Sequence, residues 1–226
     1  MQKPHVTADN IGPRSARWLE EIAEYNVHKM DLEINKAALL VIDMQNFFLD
    51  PQSPTYTEGG TAIIGGCRKL IDIFRGHGRP VIFTRHVHKS PELDGGNLAW
   101  WWQGMCIDGT PESKIMASLA PLKAEKIIDK HRYSAFYNTD LEITLRCLAI
   151  RDLVTCGIMS NICVESTVRD AFFRDLRCFV PADAVGSVSE SLQIGALRGL
   201  AFGFALINRV EDITGAFRNQ IPFRDK

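Results

Sequence analysis

Three residues in this chain combine reactive chemistry with unusual placement. Asp43 ends the run AALLVID, Lys130 ends KIIDK, and Cys163 lies a few residues beyond LVTCGI, where a helical pattern begins. A thiol, a carboxylate and an ammonium brought together could perform nucleophilic acyl chemistry, in which the thiolate attacks and a nearby cation favours that anion. Val164, Val168, Ala171 and Phe172 form one apolar stripe with Cys163 at its amino end, where free N–H groups and the helix dipole also favour negative charge. Each residue has an inert reading as well. A charged group at a strand end can simply be solvated, and an isolated cysteine is commonly a small buried hydrophobe. Cys67, Cys147, Cys156 and Cys178 fall inside expected helices or strands and are read in that inert way. Asp43, Lys130 and Cys163 differ because all three sit at or just past carboxyl ends of expected strands, the edge along which ligand crevices open in α/β sheets.

Six short runs, mostly apolar and rich in β-forming residues, supply those strands: Ala37 to Asp43, Pro80 to Thr84, Lys126 to Lys130, Leu153 to Ile158, Cys178 to Ala182 and Phe204 to Val210. Continuous apolarity without alternation suits strands buried on both faces, as in a parallel sheet. Helical spacing appears between them, over Ile63 to His77, Thr139 to Leu148, Cys163 to Leu176 and Glu190 to Phe202. The alternating order predicts a three-layer α/β/α sandwich. Residues 1–35 read as an extension with its own helix over Ser15 to Met30, Ser15 serving as N-cap, and residues 36–226 as one domain. The longest irregular stretch, Arg85 to about Thr110, holds Trp100, Trp101 and Trp102; a loop so rich in tryptophan is expected to be ordered and functional.

Composition narrows the choice of partner. A net charge of -1 without long runs of like charge gives no electrostatic footprint for nucleic acid or a membrane surface, so a small molecule is the expected partner. The six cysteines show no CxxC pair and no zinc-type spacing, and read as reduced thiols. The polar N-terminus has no signal-peptide core and no stretch has the length of a membrane span, so the expected location is cytoplasmic.

Three segments resemble the isochorismatase-like cysteine hydrolases. GIMSNICVESTVRDAFFRD (Gly157 to Asp175) is similar to that superfamily's nucleophile motif, LLVIDMQNFF (Leu39 to Phe48) to its first-strand motif, and KHRYSAFYNTDLE (Lys130 to Glu142) to the segment opened by its lysine. The resemblance covers about residues 36–212. It implies a six-stranded parallel sheet, homodimers or homotetramers, a catalytic triad of Asp43, Lys130 and Cys163, and a cis peptide at Ile158-Met159. It further implies an oxyanion hole formed by the Met159 and Cys163 N–H groups. Asp43 would then accept the thiol proton, Cys163 attack an amide carbonyl and Lys130 hold both in their charged forms. A Cys–His dyad competes, but His131 adjoins Lys130 near a strand end, where neighbouring side chains point to opposite faces.

Within the superfamily, the cysteine favours acyl chemistry over vinyl-ether hydrolysis of isochorismate, some of whose enzymes carry glycine there. The nicotinamidase branch has an Asp-x-His metal signature after the second strand, where this chain has His86-Val87-His88; these two could bind a metal or belong to a substrate loop. The remaining resemblance is to amidohydrolases of N-carbamoyl compounds such as N-carbamoylsarcosine and ureidoacrylate. The expectation is therefore a cofactor-free, metal-free hydrolase that cleaves a carbon–nitrogen bond in a small amide through a thioester. Isochorismate hydrolysis, a metal-containing nicotinamidase-like activity and a noncatalytic ligand-binding role stand as alternatives. Arg85, His86 and His88 are candidate contacts to a carboxylate or carbonyl of the substrate, although Arg85 reads equally as a surface residue. Trp101, Tyr133 and Phe136 are candidate wall residues, with a core role equally open for the last two.

Overall fold

The structure, a computed structural model, describes residues 5–102 and 104–219; residues 1–4, Gln103 and 220–226, which include the start of the expected extension and the end of the expected domain, lie outside it. The strands are β1 (Ala37–Ile42), β2 (Val81–His86), β3 (Lys126–Lys130), β4 (Asp152–Ile158), β5 (Arg177–Pro181), β6 (Val185–Gly186) and β7 (Ala205–Asn208). All pair in parallel in the order β3-β2-β1-β4-β5-β7, and the two-residue β6 adds to the end of β4 as a seventh strand. The central strands β1 and β4 are buried along their whole length, which accounts for their unbroken apolar runs.

Helices α1 (Ile11–Glu21), α2 (Asn46–Leu49), α3 (Glu58–Ala62), α4 (Ile64–Gly76), α5 (Asn97–Trp101), α6 (Leu141–Cys147), α7 (Glu165–Phe172), α8 (Glu190–Gly203) and α9 (Val210–Asn219) complete the described chain. Alternate residues of one strand serve opposite layers. Leu40 and Ile42 of β1 face a core built with Leu145 of α6, Val168 of α7 and Leu197 of α8, whereas Leu39 and Val41 face Leu70 of α4 and Phe217 of α9. No helix among the described residues is long and apolar enough to cross a membrane.

The extension folds onto this domain differently from the sequence expectation. Its helix is α1, earlier and shorter than Ser15 to Met30, and Ser15 lies inside it, fully buried, with Oγ donating to the Gly12 carbonyl at 2.9 Å. Pro13 explains the early start, since its fixed φ suits a first turn and its missing N–H leaves nothing unpaired there. Trp18 and Ile22 enter the core, and the Trp18 indole donates to Glu190 at the start of α8 at 2.9 Å. Asn26 then caps the edge strand β7: its amide donates to the Ile207 carbonyl at 2.7 Å and accepts from the Ile207 N–H at 3.1 Å. One residue of an exposed sheet edge is thereby paired by a side chain.

Candidate active site

From β1 the chain moves outward to β2 and β3 and then returns to the far side of β1 with β4. The carboxyl ends of β1 and β4 therefore flank the reversal of strand order, the place where an open α/β sheet leaves a crevice. Asp43 is the first residue past β1, in a left-handed conformation (φ 51°) that a short polar side chain tolerates. The Thr84 hydroxyl donates to its Oδ1 at 2.5 Å and accepts from its backbone N–H at 3.1 Å. Lys130, the last residue of β3, brings Nζ to 2.7 Å from Asp43 Oδ2, both side chains being at most 1% exposed. Cys163 lies in a π-helical turn, Ser160–Val164, between β4 and α7, and is 5% exposed. Its sulfur, a carboxylate oxygen of Asp43 and a ring nitrogen of His86 lie within 4.8 Å of one another. The structure thus gathers the three residues that sequence spacing singled out.

Electrostatics inside this cluster corrects one expectation. The helix start and Lys130 were reasons to expect a stabilised thiolate, but burial pushes the Cys163 thiol up to about 12; Lys130 pulls it down and Asp43 opposes that pull. Desolvation outweighs attraction, and the thiol lies above its ordinary value. Burial by itself would depress the Lys130 ammonium, yet attraction and hydrogen bonds to Asp43 and Cys163 prevail, leaving it above the ordinary lysine value. Burial, assisted by Lys130, holds His86 well below the usual histidine range, and burial also lowers His88.

Several polar residues fix the strand-end loops. Gln45 is fully buried; it accepts from the His86 N–H at 2.7 Å and donates to the Ser113 carbonyl at 2.9 Å, linking the β1 and β2 ends. In the nucleophile turn, Ser160 Oγ donates to Gln193 Oε1 and Ser187 Oγ donates to Asn161 Oδ1, both at 2.7 Å. Thr167 and Asp170 of α7 hold the segment after Lys130 by accepting from the Ala135 N–H at 3.0 Å and the Ser134 hydroxyl at 2.5 Å. The peptide bond entering the turn, Ile158-Met159, is cis. Thr84 and Gln45 were not recognised from sequence; a polar residue inside an apolar strand, and a glutamine directly after one, were the available signals.

Above Cys163 opens a cavity of about 550 Å³ whose walls include Phe47, Phe48, Tyr56, Trp101, Trp102, Tyr133 and Met159. Trp101, Tyr133, His86 and His88 therefore stand where the sequence placed them, and Trp102 joins the wall, its indole donating to the Tyr133 hydroxyl at 3.0 Å. Trp100 is 69% exposed outside this cavity, packed edge-on against Trp101. Arg85 is a correction: its guanidinium pairs with Asp129 at 2.6 Å and Asp108 at 3.2 Å and does not line the cavity. Alternation along β2 is the reason, because Thr84 and His86 face the site and the residue between them faces away. Phe136 is a second correction. It is 5% exposed in the core beneath the Arg174 guanidinium, and does not line the cavity.

The Asp-x-His signature is not reproduced, since His86 takes the aspartate position and its two nitrogens face Lys130 and His88. A different set could hold an ion. His88 Nδ1 is buried without a hydrogen-bond partner, 3.3 Å from Asp94 Oδ1, and groups with Asp94 and His131 within 4.8 Å. His131 otherwise places Nδ1 2.6 Å from the Val87 carbonyl oxygen.

Comparison with known proteins agrees with this architecture. The isochorismatase domain model matches residues 37–212. Nicotinamidase 3 of Arabidopsis thaliana is 37% identical over 81% of this chain and 90% of its own length. N-carbamoylsarcosine amidase of an Arthrobacter species is 29% identical over 82% of this chain and 76% of its own. Among solved structures, a cysteine hydrolase from Pseudomonas syringae pv. phaseolicola superposes with a TM-score of 0.80 at 25% identity, covering 84% of this chain and 96% of that one. With a family model spanning most of its length and its strand ends carrying an aspartate, a lysine and a cysteine in one crevice, the chain belongs to the isochorismatase family of hydrolases.

Proposed function

We propose that the chain is a cysteine amidase that hydrolyses the carbon–nitrogen bond of a small, uncharged amide through a thioester on Cys163. The observation that carries this reading is the buried Lys130–Asp43 pair at 2.7 Å beside the Cys163 sulfur on the floor of an aromatic cavity. Asp43 accepts the thiol proton as sulfur attacks the carbonyl carbon, so the high thiol pKa is overcome only when substrate is in place. Negative charge passes to the carbonyl oxygen, for which the Met159 and Cys163 N–H groups are the proposed donors. The C–N bond breaks as Asp43 returns the proton to nitrogen. Water then attacks the thioester while Asp43 takes its proton, and the carboxylic acid leaves as sulfur is released and reprotonated. The Lys130 ammonium, 2.7 Å from Asp43 Oδ2, orients the carboxyl group through these transfers.

Charge in the cavity supports the substrate class. Among the described lining residues none is lysine, arginine, aspartate or glutamate, and His86 and His88 are held toward their neutral forms. A carboxylate entering this space would lose its hydration without gaining a counter-charge. Ureido acids and isochorismate carry carboxylates, and an amide with an uncharged, flat apolar body does not. The test is ammonia release across a panel of neutral aromatic and aliphatic amides, ureido acids and biuret, with isochorismate assayed separately. Intact-mass analysis with a slow substrate should show an acyl adduct on Cys163. Turnover by a Cys163→Ala protein would refute the covalent route, and a preference for ureido acids would refute the charge argument.

The group formed by His88, Asp94 and His131 favours a second reading, a metal-containing amidase. Those three residues would hold a divalent ion, which would supply Lewis acidity beside the cavity.

A further inference from the structure

The ring of His86 touches two members of the triad but has no task in the reaction just described. Lys130 Nζ faces Asp43 Oδ2 at 2.7 Å, His86 Nδ1 at 3.1 Å and the Arg132 carbonyl at 3.2 Å, with the Cys163 sulfur also beside it. An ammonium has only protons to offer, so His86 Nδ1 is bare and its neutral ring carries the proton on Nε2. That nitrogen lies 3.1 Å from His88 Nε2. For the contact to be a hydrogen bond, His88 Nε2 must accept, which places the His88 proton on Nδ1, the nitrogen 3.3 Å from Asp94 Oδ1. The order runs one way from Lys130 through His86 to His88, and His88 Nδ1 then faces Asp94 Oδ1 across 3.3 Å as a close contact without hydrogen-bond geometry.

Asp94 is where the file reaches the loop. Its carboxylate accepts the Lys89 N–H at 2.9 Å, and its carbonyl accepts from the Arg132 guanidinium at 2.9 Å. Arg132 is the same residue whose carbonyl receives Lys130, so a second path joins the ammonium to residue 94. The loop beyond Asp94 carries α5 and the two tryptophans of the cavity wall. The triad and the base of that wall are therefore joined by hydrogen bonds through Arg132 and by the close His88–Asp94 contact.

We propose that His86 is a positioning residue of this active site, whose Nδ1 receives one Lys130 proton and whose Nε2 meets His88, linking the triad's ammonium toward Asp94 and the tryptophan loop. Without that acceptor the ammonium loses one of the groups that fix its orientation, and it is less firmly directed at Asp43 and the sulfur. The assignment goes beyond the amidase reading and rests on it only for the kinetic arm of its test.

Nitrogen-15 NMR of histidine-labelled full-length protein reads the two tautomers directly and needs no substrate. The expected spectrum shows His86 protonated on Nε2 and His88 on Nδ1. Either ring in the opposite tautomer, or exchanging between the two, overturns the proposal. In kinetics with an amide found in the panel, His86→Asn keeps an acceptor oxygen close to the place of Nδ1, and His86→Leu removes it. His86→Leu is expected to lower kcat about 10- to 100-fold, the loss expected for one hydrogen bond to a charged group, with KM nearly unchanged. His86→Asn is expected to recover most of that loss. Equal damage in both variants, or an effect confined to KM as for a substrate contact, refutes the positioning role. If His86→Leu does not fold, the wild-type tautomers still decide, and if no panel amide is turned over the amidase reading fails while the NMR result stands.

Discussion

Replacing Lys130 by methionine separates the stability of the buried pair from its chemistry. Methionine nearly matches the lysine stem in volume and flexibility, so the substitution removes charge and hydrogen bonds without opening a large cavity. It leaves Asp43, 1% exposed, with the Thr84 hydroxyl at 2.5 Å but no counter-charge, and deprives His86 Nδ1 and the Arg132 carbonyl of their donor. Stranding one member of a buried ion pair costs about 3–5 kcal/mol. For a chain of this size that corresponds to a fall of roughly 6–20 °C in Tm. Removing both charges with Lys130→Met/Asp43→Asn should restore most of the loss, because a buried pair gives little net stability over a neutral replacement. Turnover should be absent from both variants. Urea unfolding followed by circular dichroism and tryptophan fluorescence, with a common slope, measures the stabilities. A single variant within about 1 kcal/mol of the parent, or a double variant no more stable than the single, would refute the reasoning, since surface-like substitutions behave that way.

Because burial pushes the Cys163 thiol up to about 12, site-resolved alkylation by iodoacetamide should rise about tenfold per pH unit from pH 7 to 10 without a plateau. The sign follows from the raised value: the thiolate is the minor form throughout that range, and saturation below pH 9 would show a resting thiolate instead. Gly157→Ala should prevent folding or cost several kcal/mol, on the order of a severe core lesion, because Gly157 sits at φ 117° and a Cβ there would meet the Ile42 carbonyl oxygen at 2.1 Å. Expression and thermal melting check this, and a normal melting temperature counts against the close approach. Exhaustive chelation should leave amide turnover intact; loss of activity restored by zinc, iron or manganese would transfer the assignment to the metal-containing reading through His88, Asp94 and His131.

The strands could be read from sequence because a parallel sheet buries both faces, and AALLVI or DLVTCGI admits little else. Asp43, Lys130 and Cys163 were legible for a related reason: reactive groups interrupt apolar pattern at the ends of those runs. Neighbour relations across strands were not legible. That His86 stands opposite Lys130 is a fact of register between β2 and β3, which composition does not encode. Arg85 was within reach, because the alternation that set His131 aside also turns Arg85 away from Thr84 and His86. Phe136 gave no signal, since a core aromatic and a wall aromatic have the same sequence. Helix α9 was overlooked although Val210, Ile213, Thr214 and Phe217 repeat at helical spacing, because the last expected strand was carried through Val210. Burial raises the Cys163 thiol where its cationic neighbour alone would lower it, because charge partners can be read from sequence and depth of burial cannot.

Register also separates two kinds of information in this molecule. In the sheet Ile42 lies opposite Gly157 and His86 opposite Lys130, so Asp43 and the turn that carries Cys163 leave from paired strands β1 and β4, and Lys130, on β3 beyond β2, is held by its register with β2. Much of the cavity wall comes from connecting segments, around residues 47–57 and 98–106, which share none of that ladder. Inserting, deleting or exchanging residues in those segments reshapes what can be admitted while the reacting distances stay where the strands put them. The scaffold can thus lend one fixed reaction to successive substrates, and randomisation aimed at new amides belongs in those two segments rather than at the strand ends.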